Sequence, residues 1–74
     1  MEVLEEVMEE RKRQDELWGE QNHDDGIWLA ILVEEVGEVA NDINEQSSSK
    51  ELREELIQVA AVAVSWVESI DRRE

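Results

Sequence analysis

The chain has 74 residues, 21 of them acidic against seven basic, for a formal net charge of −14, and it contains neither cysteine nor proline. That length allows one small domain, here residues 1–74, whose core must hold without disulfides or thiolate metal sites. The charge argues against nucleic-acid binding, which relies on basic patches to displace counterions from phosphates, and an anionic substrate would need a cation in order to approach.

Tyrosine and phenylalanine are absent too, and Glu, Ala, Leu and Arg outnumber β-branched residues, so an all-α chain is expected. The first helix should run from about Glu2 to Leu17, with Val3, Leu4, Val7 and Met8 as its apolar stripe and Trp18 closing it before Gly19. In "GEQNHDDG", Asn22 or Asp24 is suited to cap the second helix, expected from about Asp25 to Glu45. "QSSSK" breaks that helix, and Ser48 with Glu51 has capping-box spacing for a third helix reaching about Arg72.

From Leu56 to Val67 the third helix is apolar nearly all round, interrupted only by Gln58 and Ser65. A lone three-helix unit buries one stripe per helix, so the surplus calls for a second chain. The expected architecture is an antiparallel hairpin of helices two and three, assembling into a four-helix-bundle-type homo-oligomer, a dimer or tetramer. That uncharged run is too short to span a bilayer, and the acidic N-terminal stretch does not read as a secretory leader; a cytoplasmic protein without membrane partners is expected.

"LVEEVGEVA", Leu32 to Ala40, places Glu34, Glu35 and Glu38 three and four residues apart, on neighbouring positions of one helix. Two carboxylates about 5 Å apart repel by roughly 3 kcal/mol at an effective dielectric near 20. No basic residue lies within a turn of them on their own helix. If helices two and three run antiparallel about a turn near Ser47, paired positions sum to about 94, and Glu38 faces the neighbourhood of Leu56. The groups brought there are Glu55 and Gln58, which add a carboxylate and no positive charge. Hard oxygens converging from two helices suit Mg²⁺ or Mn²⁺.

"EEVGE" resembles the EExxE element of the MazG-like, all-α nucleoside triphosphate pyrophosphohydrolases, in which ExxD follows on the next helix. "RQDELWGEQNH", "WLAILVEEVGEVA" and "ELREELIQVAAVAVSWVESIDRR" look like a compact branch of that family, so the resemblance covers most of the chain. It implies a Mg²⁺ site of Glu35, Glu38, Glu55 and, where Asp is expected, Gln58, with Glu34 part of the same acidic site. Gln58 is a departure: an amide oxygen ligates magnesium weakly and does not neutralise it, although the compact branch commonly carries Gln here. A second ExxD, Glu68 and Asp71, falls roughly 18 Å along the helix axis from Glu38 in that register, at the wrong end of the hairpin.

Of the remaining residues, Trp28 and Trp66 read as core or interface. Trp18, at a helix end beside a polar loop, either seals the helix or stacks on a nucleobase. His23, the only histidine, and Gln14 are candidate substrate contacts that serve equally well in caps and turns. Arg11, Lys12 and Arg13 form the basic cluster of the first helix; they reach substrate phosphates or pair with neighbouring Glu. The function implied is metal-dependent hydrolysis of a (d)NTP to (d)NMP and pyrophosphate, with Glu34 as the group acting on the attacking water. The alternative is a non-catalytic helical homo-oligomer that binds a nucleotide or cation.

Overall fold

The computed structural model describes residues 1–73. Their regular structure is three helices and no strand: α1 (Val3–Trp18), α2 (Asp25–Asn44) and α3 (Ser49–Arg72). Each boundary has a local cause. Gly19 takes φ +73°, a conformation that costs a residue without Cβ nothing, and its N–H returns to the Asp15 carbonyl. Asp24 Oδ1 accepts the Ile27 N–H at 2.9 Å, and Ser48 Oγ accepts the Glu51 N–H at 3.1 Å, so each satisfies one of the free donors of the helix it opens. The turn between α2 and α3 passes through Gln46 at φ +56°.

α3 is the middle helix. Both α1 and α2 pack on it, while no Cα of α1 comes within 8 Å of α2. The outcome is a slab of 42 × 29 × 18 Å. At one end of the α2–α3 interface, the Trp66 indole N–H donates to Asp25 Oδ1 at 3.0 Å and Arg73 pairs with Asp25 at 2.6 Å.

α1 buries only the middle line of the face its apolar residues mark, and not its N-terminal start. Val7, Arg11 and Gln14 are buried, whereas Val3, Leu4 and Met8 are exposed. Arg11 lies on that same face. Its guanidinium is held between Asp15 at 3.0 Å and Glu68 of α3, which leaves the residue buried between the two helices. Glu6 and Arg53 form a second join between these helices.

Val7, Trp28, Ala61 and Val62 are the buried apolar side chains among the described residues. Many large apolar groups remain outside. On α2, Leu29, Val33, Val36, Ala40 and Ile43 are exposed, separated by four, three, four and three residues. On α3, Leu56, Val67 and Ile70 are exposed and the half-buried Ala60 and Ala63 complete the same spacing. Such spacing draws one stripe along each helix. By helical periodicity both stripes lie on the side of the slab away from Glu35 and Gln58.

Candidate functional site

Glu35 and Glu38 of α2 meet Glu55 of α3, and one carboxylate oxygen from each lies within 4.8 Å of the others. They converge because residues three apart on α2 share a face, and that face meets the α3 turn carrying Glu55. Asp42, one turn beyond Glu38, extends the row and adds its charge beside Glu55. Glu10 approaches Glu35 from α1.

The electrostatic result is visible in the acids themselves. Burial, a hydrogen bond shared with Glu38, and the charges of Glu38, Asp42 and Glu35 push the Glu55 carboxyl up to about 7. Glu35 is also raised, first by burial and then by the charges of Glu38, Glu34 and Glu10. Glu35 Oε2, Glu55 Oε2 and Asp42 Oδ2 are buried atoms with no hydrogen-bond partner. Buried acceptors are normally satisfied, so three in one cluster lack a group with positive charge or donors. The basic side chains on the neighbouring helices do not supply it: Arg13 pairs with Glu10 at 2.7 Å and Arg53 with Glu6 at 2.5 Å. A divalent cation with a preference for hard oxygens fits this donor set.

Beside the cluster opens a cleft of about 260 Å³, with α3 as its floor and the flanking helices as its walls. Gln58, Val62 and Ser65 form the floor; Arg13, Gln14 and Trp18 line the α1 wall; Trp28, Ile31 and Glu35 line the α2 wall; Gln21 closes the end. Glu35 therefore belongs both to the carboxylate cluster and to the cleft. Gln58, one turn from Glu55, faces this cleft and a second groove between α1 and α3.

The remaining expected site residues are placed as follows. Glu34 is exposed, beside the cluster but outside its converging oxygens. Gln14 is buried at the cleft wall with its Nε2 donating to Glu10 at 3.1 Å, and Trp18 stands 62 % exposed at the rim. Arg11 does not line the cleft; it is tied to Asp15 and Glu68, and Arg13 is the arginine that lines it. His23 does not line it either. Its Nε2 lies 2.8 Å from Gln21 Oε1, and its ring stands edge-on to Trp28 with centroids 5.0 Å apart, behind the wall. Glu68 is engaged by Arg11, away from the acidic cluster.

Asp42, Glu10 and Arg13 are site residues that the motif spacing did not single out. Asp42 had one signal, since positions 35, 38 and 42 repeat at three and four residues. Glu10 had none, and Arg13 had only its membership of the basic cluster of the first helix. No helix of the described residues is long and apolar enough to cross a membrane. The chain matches no family model, no curated protein and no solved structure.

Proposed function

We propose that this cleft is the active site of a metal-dependent nucleoside triphosphate pyrophosphohydrolase, converting a (d)NTP to the (d)NMP and pyrophosphate. The observation that carries the reading is the joining of two features at Glu35. A cluster of carboxylates with unpaired buried oxygens opens directly onto a cleft flanked by two tryptophans. A triphosphate needs cationic charge at one end and a flat apolar surface for its base at the other.

In this reading Glu35, Glu38 and Glu55 hold Mg²⁺ or Mn²⁺, and Gln58 offers a neutral amide oxygen beside them. The ion, when bound, supplies Lewis-acid charge against the phosphate oxygens. Glu34 orients the attacking water and takes its proton as the water oxygen bonds to the α-phosphorus. The bond from that phosphorus to the bridging oxygen breaks, and pyrophosphate leaves. Trp18 and Gln14 contact the nucleoside, and Arg13 exchanges Glu10 for a phosphate oxygen.

Support for assembly comes from the two apolar stripes. Leu29, Val33, Val36, Ala40 and Ile43 beside Leu56, Ala60, Ala63, Val67 and Ile70 form the kind of paired seam that a second copy would cover, making a four-helix-type bundle from two antiparallel α2–α3 hairpins. The cleft would then face outward from each copy.

The test is pyrophosphate release from all common NTPs and dNTPs with Mg²⁺ or Mn²⁺. Turnover that disappears in Glu38→Gln is the expected result, and no turnover at high protein concentration would remove the enzyme reading. One observation favours a second reading: the cleft presents Gln58 where a carboxylate would complete the site. Calorimetry showing metal-dependent nucleotide binding without hydrolysis would identify a binding module instead.

A further inference from the structure

The connection Gly19–Asp24 between α1 and α2 is held by the far end of a different helix. Arg72 Nε donates to Asn22 Oδ1 at 2.9 Å, its Nη2 donates to the Gln21 carbonyl at 2.9 Å, and it pairs with Glu20 at 2.6 Å. Arg73 Nη2 donates to the His23 carbonyl at 3.3 Å while the same guanidinium holds Asp25. Two of the seven basic residues of a strongly acidic chain are thus committed to one short connection, partly through backbone carbonyls.

From there the contacts lead inward. Gln21 and Trp28 line the cleft, and His23 links them through its hydrogen bond to Gln21 and its edge-on contact with Trp28. Exposed ion pairs alone stabilise a fold little. A guanidinium that fixes a carbonyl, an amide and a carboxylate at once constrains geometry instead, and lysine cannot reproduce that fork.

We infer that Arg72 is a positioning residue: with Arg73 it latches the Gly19–Asp24 connection so that Gln21, backed by His23 and beside Trp28, forms a fixed end wall of the cleft. For its consequence in catalysis this rests on the pyrophosphohydrolase reading. The wall lies at the Gln21 end of the cleft, and the carboxylates at the Glu35 end make no contact with the latch. Its loss therefore weakens the grip on the nucleoside and leaves the metal end intact.

The experiment compares Arg72→Gln with Arg53→Gln, which breaks another exposed ion pair between helices, Glu6–Arg53, that does not touch the connection. Hydrogen exchange on the full chain should speed up about tenfold at amides 20–24 and at the Trp28 indole in Arg72→Gln, and not in Arg53→Gln. In turnover assays Arg72→Gln should raise KM about tenfold with kcat within about twofold, and Arg72→Lys should rescue it only in part. Equal effects of the two glutamine variants on exchange, full rescue by lysine, or a loss confined to kcat would overturn the inference. Should the wild-type chain hydrolyse no nucleotide, the pyrophosphohydrolase reading fails by itself. The exchange comparison still decides the latch, because unchanged exchange in Arg72→Gln overturns it and selective acceleration sustains it.

Discussion

Glu55 is where burial and charge conflict most. Its folded carboxyl titrates near 7, above the ordinary 4.5 of the unfolded chain, because burial and the charges of Glu38, Asp42 and Glu35 all favour the protonated form. The sign follows from linkage: a raised carboxyl contributes stability that is complete below about pH 4.5 and is lost as pH rises through about 7. Metal-free protein should therefore melt at progressively lower temperature from pH 5 to pH 8, and Glu55→Gln should flatten that decline. The same substitution removes a ligand, so a Mn²⁺ titration of Glu55→Gln should show little binding. In the wild type, Mn²⁺ must displace the proton, and its affinity should rise about tenfold per unit of pH below 7 and level off above it. Gln58→Asp adds a charge to the same crowded group. Its metal-free form should be less stable than wild type, with tighter Mn²⁺ binding and higher turnover; unchanged turnover would mean that the amide is not what limits the site.

At the scale of the helices, caps were legible in the sequence and the extent of burial along a face was not. Asp24, Ser48 and Gly19 act within a few residues of themselves, so the ends of α2 and α3 and the stop after α1 follow from local chemistry. Asp24→Ala should cost about 1 kcal/mol in a denaturant titration. What that face buries along α1 depends instead on α3, as with Arg11, paired to Glu68 57 positions away. A periodicity argument counts Arg11 as polar, so it favoured Val3, Leu4 and Met8, which share the face but stay exposed. The candidate site divides in the same way. Glu35, Glu38 and Glu55 sit on regular α2 and α3 turns, whereas Glu10, Arg13 and the loss of Arg11 from the cleft follow from how α1 packs on α3. α2 also carries a glycine in its middle, Gly37, which is poorly suited to a helix interior. A Cβ on Gly37 would meet nothing within 4 Å, and Gly37→Ala should raise stability by about 1 kcal/mol, read as a higher denaturation midpoint with unchanged Mn²⁺ affinity.

For the molecule as a whole, the small buried core sets the terms. Four buried apolar side chains, two of them only alanine and valine of one α3 turn, are few for a chain with this much apolar surface outside. Under the dimer proposal, covering the α2 and α3 stripes supplies the missing burial. Val36→Asp, at the centre of the α2 stripe, should then convert the assembly to monomers in sedimentation velocity at micromolar concentration and lower its melting temperature. A wild-type chain that sediments as a folded monomer would exclude the dimer. The central position of α3 has another consequence, mechanical rather than energetic. α1 and α2 pack on α3 and not on each other, and the latched Gly19–Asp24 connection ties them at the Gln21 end, so the cleft is built as two jaws on a common bed. Glu38 and Glu55 lie on α2 and α3 alone, so the spacing of the acids is set by one pair of helices and the gap at Trp18 by the other.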